Sequence, residues 1–200
     1  MASPHLPPAR NITGDVPGFI QSLSISTTLS ADIAALFQQQ TKPPEGNIDL
    51  ACQITRLVFD SSYSDPVTNS GTYTALADIN WSLSCRLRPS CILAPKSAPE
   101  VSTAIKIISF LEIPFSVRGG GHSANPGWAN TDTGILISLN ELTEVSVNSD
   151  KTVARIGSGN RWEAVYKALA RDGVGVVGGR IHSVGVAGLI LRGSCLLFLR

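Results

Sequence analysis

Arg118, Gly119, Gly120, Gly121, His122 and Ser123 are the stretch of this 200-residue chain with the most chemistry in it. Three successive glycines let the backbone enter positive-φ conformations and gather its N–H groups into one concave row. Such a nest binds the oxygens of a phosphate or diphosphate, and Arg118 and the Ser123 hydroxyl can add a charge and a hydrogen bond. Glycines alone suit a plain surface turn as well. Here, though, they follow an apolar strand, and without an anion to hold they would leave it with a mobile end. The run is not a mononucleotide P-loop, because no Gly-Lys-Ser/Thr follows. Nor is it a dinucleotide fingerprint, because no G-x-G-x-x-G opens a helix.

A second stretch carries Gly178, Gly179 and Arg180, then Ser183, Val184, Gly185, Ala187 and Gly188. Small residues at 185, 187 and 188 let backbone approach a flat ligand closely. By themselves they also fit a tightly packed strand-to-helix junction.

The elements that must position these stretches read as an α+β pattern. Residues 1–29, rich in Pro, Ser and Thr, are expected to be a loosely ordered lead-in. Residues 30–88 form a helical and turn-rich segment. Within it, Ser30 caps a helix over 31–40, a second amphipathic helix covers 48–58, and little regular structure is expected over 60–90. From residue 89 onward the pattern is regular. A strand at 91–95 precedes a capping box at Ser97 and Glu100 with Pro99 in the first turn, which opens a helix over 99–111. Strands follow at 113–117, 135–139, 145–147 and 152–156. A helix over 161–171 stops at Gly173, and another apolar strand is expected at 174–177.

Composition narrows the function classes. Hydrophobic residues make up 43% and charged residues 16% of the chain, against roughly 25% charged in an average soluble domain; a disordered chain would show the reverse bias. Sixteen basic and fifteen acidic residues give a net charge of +1, with no Lys/Arg stripe to follow a nucleic-acid backbone. The four cysteines contain no C-x-x-C pair and the three histidines are dispersed, so a structural zinc site has little support. Cys52 can pair with Cys91 or Cys85 if the chain is secreted, or all can remain buried thiols. No signal peptide is visible at the N-terminus. Sequons at Asn11 and Asn80 matter only in the secretory pathway. No apolar stretch reaches the eighteen or so residues that cross a bilayer.

Taken together, the motif at 118–123 and the Val-Gly-Val-Ala-Gly-Leu of residues 184–189 resemble the FAD-linked oxidases of the vanillyl-alcohol oxidase and berberine-bridge-enzyme group. The intervening pieces Pro-Lys-Ser-Ala-Pro-Glu-Val (95–101), Gly-Ile-Leu-Ile-Ser-Leu (134–139) and Ala-Arg-Ile-Gly-Ser-Gly-Asn-Arg-Trp-Glu-Ala-Val-Tyr (154–166) agree. The resemblance covers roughly residues 90–191. It implies a PCMH-type FAD-binding domain of two small lobes over 89–200, with FAD between them. Arg118, Gly119, Gly120, Gly121, His122 and Ser123 would surround the diphosphate, and Gly179, Ser183, Val184, Gly185 and Gly188 would line the flavin. His122 matches the histidine that many members join to the flavin 8α-methyl; the other reading is a hydrogen-bonding residue beside non-covalent FAD. Ile181 stands where a second, cysteinyl bond would form, so none is expected; His182 reads as structural. Val184 falls where access of dioxygen is controlled. The implied activity is hydride transfer from a small-molecule substrate to flavin N5, with dioxygen as acceptor. Arg192 stands where a glycine is expected and the chain stops at Arg200, so the resemblance implies an incomplete C-terminal end and a missing substrate domain. A non-catalytic flavin-binding fragment is therefore the alternative.

Overall fold

The computed structural model describes residues 15–41 and 46–192. The sequon at Asn11, the first half of the expected lead-in and the final stretch after Arg192 lie outside the described residues.

The first lobe contains α1 (Val16–Ser22), α2 (Thr27–Gln38), α3 (Ile48–Phe59), β1 (Tyr63–Ser64), α4 (Ser70–Ala77), β2 (Cys91–Leu93), α5 (Ala98–Phe110), β3 (Phe115–Arg118) and β4 (Ile135–Ser138). Its sheet has the order β1-β2-β4-β3. β2, β4 and β3 run parallel, and β1 is antiparallel at one edge. β4 is buried along its whole length, as expected of a strand covered on both faces. Its alternate residues serve two cores. Ile135 and Ile137, with Cys91 and Leu93 of β2, pack with Phe19, Ile33, Leu50 and Ile54 of α1–α3 and with Ile107 and Ile108 of α5. Ile92 and Leu136 pack with Tyr73 and Ala77 of α4.

The second lobe is the hairpin β5 (Val145–Val147) and β6 (Ala154–Ile156) with α6 (Trp162–Arg171) and α7 (Val186–Leu191). Trp162, Val165 and Leu169 recur at helical spacing and bury against Val186 and the hairpin, a stripe that needs nothing more than the 3.6-residue period.

Several expectations shift. The lead-in contains α1, whose Phe19 and Ile20 are buried. α2 begins at Thr27: the Ser26 hydroxyl, not that of Ser30, accepts from Leu29 N–H at 3.3 Å, and Ser30 lies inside the helix donating to the Ser26 carbonyl at 2.9 Å. The segment over 60–90 holds β1 and α4, with a turn built on Asp65 between them. The Asp65 Oδ1 accepts from the N–H groups of Val67 and Thr68 at 2.7 and 2.6 Å, and its Oδ2 from the Thr68 hydroxyl at 2.8 Å. The capping box forms as expected, with Ser97 Oγ accepting from Glu100 N–H at 3.3 Å, while the Glu100 carboxylate reaches the Lys96 N–H at 2.8 Å. Residues 174–177 are not a strand, since no neighbouring strand pairs with them among the described residues. Cys52 of α3 and Cys91 of β2 form a disulfide, with their Cα atoms 6.1 Å apart; Cys85 is a buried free thiol.

Candidate functional site

β3 delivers residues 119–123 to the carboxyl end of the parallel strands, the end at which open α/β sheets take their ligands. Gly121 turns the loop with φ +66°, a conformation open to glycine at no steric cost. Gly120 lies directly on Gly185: a Cβ built on Gly120 would sit 2.4 Å from Gly185 N and 2.5 Å from its Cα, and one built on Gly185 would sit 2.3 Å from Gly120 N. The contacts are backbone to backbone, so no side chain can yield. The second stretch is fixed in turn by a bridge between Arg161 and Gly185, in which Trp162 N–H donates to Val184 O (3.1 Å) and Val186 N–H to Asn160 O (2.9 Å).

The two stretches therefore share one cavity of about 440 Å³. Gly119, Gly120, Gly121, His122 and Ser123 line it from the first lobe, and Val184, Gly185 and Gly188 from the second. His122 is half-buried on this wall, with the Trp81 indole behind it; the ring centroids are 5.5 Å apart and the planes 14° from parallel.

Arg118, Gly179 and Ser183 do not line the cavity. Gly179 packs on the Trp162 indole, and its carbonyl accepts from the Tyr166 hydroxyl at 2.9 Å. The Ser183 carbonyl accepts from Arg161 Nη1 at 2.7 Å. Arg118 requires a correction of direction. The register pairs Arg118 with Ser138, so its side chain enters the sheet interior, where it is 0% exposed. Nη1 donates to Asn80 Oδ1 at 3.0 Å and Nη2 to Ser138 Oγ at 3.1 Å, while Nε has no partner. No carboxylate pairs with it among the described residues. Burial, reinforced by the charge of Arg161, pushes the guanidinium down to about 10. The strand leading to it is inverted in the same sense: Ser116 and Arg118 are buried while Phe115 and Val117 are partly exposed.

Sequence reasoning missed Asn80, Trp81, Trp128, Arg161 and Arg192. Asn80 was legible only as a sequon, yet it is 0% exposed and engaged with Arg118, so the folded chain offers no glycan acceptor there. Trp81 and Trp128 are 63% and 62% exposed; a large aromatic in a polar, turn-rich stretch was the one available signal. Arg192 lines the cavity and stacks its guanidinium over Trp128, 5.5 Å from the ring centre.

A family profile described as an FAD binding domain matches residues 89–196, more than half of the chain. The chain belongs to this family. FAD is the cofactor of this FAD-binding domain. It is 48% identical over 150 residues to an FAD-dependent monooxygenase of Arthrobotrys oligospora, an alignment covering 74% of this chain and 29% of that protein. An FAD-dependent monooxygenase of Penicillium terrestre is 40% identical over 168 residues, covering 81% of this chain and 32% of its own length. The chain thus spans about a third or less of the length of these curated relatives. Among solved structures, 6-hydroxy-D-nicotine oxidase from Arthrobacter nicotinovorans superposes with a TM-score of 0.58 at 30% identity, over 64% of this chain and 27% of that one. A berberine-bridge-enzyme-like protein of Physcomitrella patens does so with a TM-score of 0.52 at 25% identity, over 63% and 27%. These likenesses agree with the group and the α+β class read from the motifs. No helix among the described residues is long and apolar enough to cross a membrane.

Proposed function

We propose that backbone amides over residues 119–123 hold the diphosphate of FAD, and that Val184, Gly185 and Gly188 line its flavin ring. His122 and Ser123 flank the cofactor. Gly179 and Ser183 hold that wall in shape from behind, and Arg118 supports the loop from below. The observation that carries this reading is the contact of Gly120 with Gly185, which sets an anion nest and a small-residue surface on one cavity. The buried Arg118 is the second support. A guanidinium out of water without a carboxylate is unfavourable, and a diphosphate bound at the loop directly above supplies the missing negative charge.

When bound, FAD supplies a hydride acceptor for a substrate carbon and a route for the electrons to dioxygen. This chain's residues bind and orient the nucleotide, and the small-residue wall excludes water from one face of it. The monooxygenase and oxidase relatives support an oxidoreductase acting on a small molecule as the activity to which this domain contributes. His122 on the cavity wall is the residue that would attach the cofactor covalently, or else hydrogen-bond beside a non-covalent FAD.

Equilibrating the purified chain with FAD tests the reading. At a concentration a hundred times the dissociation constant, binding stabilises the fold by about 2.7 kcal/mol, seen as a raised Tm. Yellow colour kept in an acid-precipitated pellet, and lost in His122→Ala, identifies a covalent link. A folded chain whose Tm ignores FAD overturns the assignment.

A further inference from the structure

We propose that Trp81 is a positioning residue for His122: its indole fixes the plane of the imidazole on the cavity wall. The proposal rests on reading that cavity as the flavin site. Neither ring nitrogen of His122 has a hydrogen-bond partner among the described residues, so the near-parallel stack on Trp81, 5.5 Å between centroids, is the contact that sets its orientation. Trp81 is itself anchored. Its N–H donates to the Gly121 carbonyl at 2.9 Å, in the residue just before His122. Its neighbour Asn80 is locked on both sides, by Arg118 through Oδ1 and by Arg86 Nε through the carbonyl at 3.1 Å. The 80–81 dipeptide therefore clamps the glycine loop from outside while the indole braces the histidine. Trp81 does not line the cavity, which separates it from a residue that touches the ligand. Its 63% exposure is unusual for so large an apolar ring, and a fold-stabilising role does not account for it.

The geometry offers a clean variant. Trp81→Ala keeps the backbone bond to Gly121 and removes only the ring, and Trp81→Phe keeps a ring to stack. His122 is one of three histidines, and its ring signals in a ¹H–¹³C correlation spectrum are assigned by their loss in His122→Ala. In the unaltered chain these protons are displaced upfield by the indole ring current. They move to ordinary positions in Trp81→Ala and stay displaced in Trp81→Phe. FAD affinity falls on the order of 2- to 10-fold in Trp81→Ala, the weight of one aromatic pair, and recovers in Trp81→Phe. Because Trp81 acts through His122, the same change made in His122→Ala has no further effect on affinity.

A Trp81→Ala effect that persists undiminished in His122→Ala means that the indole meets the ligand itself, and overturns the proposal. So do His122 signals that do not respond to Trp81. If the unaltered chain takes up no FAD while the ring-current shifts behave as stated, the flavin reading falls and the orienting role of Trp81 stands. If FAD binds and the double change is additive, the flavin reading stands and the positioning role falls.

Discussion

Gly120 and Gly188 line the same cavity, yet a methyl group added to each meets different surroundings. At Gly120 it collides with the backbone of Gly185, and the lobes must move apart to admit it. Overpacking of this kind destabilises by about 1–3 kcal/mol, so Gly120→Ala should lower Tm and abolish FAD retention together. At Gly188 the added carbon meets no atom of the described residues within 4 Å apart from its chain neighbours and its own helix backbone. The residue sits inside α7, where alanine is preferred to glycine by about 1 kcal/mol. Gly188→Ala should therefore hold or raise Tm while weakening FAD, because the methyl enters the space proposed for the flavin. Thermal melts of both variants with and without FAD check the pair; equal FAD response in Gly188→Ala and the unaltered chain removes the flavin from that wall. The glycine loop was legible in sequence because three glycines after an apolar strand are unusual. The direction of Arg118 was not. Apolar residues at 113, 115 and 117 suggest that the odd positions face inward, whereas Ser116 and Arg118 are the buried ones. Alternation alone does not say which face an edge strand turns to the core.

At the scale of elements, the segments read correctly are those whose periodicity is strong enough to decide the structure locally. α3, α5 and α6 each carry an apolar stripe and, for α5, a cap that acts within one turn. α4 was missed because its residues, Ser, Gly, Thr and Tyr among them, have weak helix propensity. It follows the Asp65 turn, and its close is held by contacts from far along the chain. Asn130 Nδ2 donates to the carbonyls of Ala77, Cys85 and Leu87 at 3.2, 3.3 and 3.2 Å, a junction of residues more than forty positions apart. Asp65 gives this segment a pH dependence. Burial raises the carboxyl, but the donors from Thr68 and Val67 outweigh it and hold it below the ordinary carboxylate range. The unfolded chain thus binds the proton more readily than the folded one. The stabilisation is complete above an unfolded pKa of about 3.9 and is lost as pH falls through the lower folded value. Asp65→Asn should cost about 1–2 kcal/mol near neutrality and flatten the stability curve below pH 4. Urea midpoints between pH 3 and 7 check this, and parallel curves for the two proteins would refute it.

At the scale of the molecule, the helices before β2 and the strands after it are one packing unit. Phe19, Ile33, Leu50 and Ile54 share a cluster with Leu93, Ile107, Ile135 and Ile137, β1 pairs with β2, and the Cys52–Cys91 disulfide ties α3 to β2 across 39 residues. The cavity proposed for FAD sits elsewhere, where the loop after β3 meets the second lobe, and neither cysteine lines it. Stability and ligand binding therefore rest on separate contacts. Closing a loop of this length removes enough freedom from the unfolded chain to stabilise the fold by up to about 4 kcal/mol. The double change Cys52→Ala, Cys91→Ala should lower the urea midpoint by an amount in the range of about 2–4 kcal/mol. At temperatures where this variant remains folded, it should still take up FAD with an affinity close to that of the unaltered chain, because residues 119–123 and 184–188 keep their own supports in Asn80, Trp81 and Arg161. A loss of FAD binding without a loss of stability would mean that α3 and β2 shape the cavity at a distance, and that the cross-link acts on the site rather than on the fold.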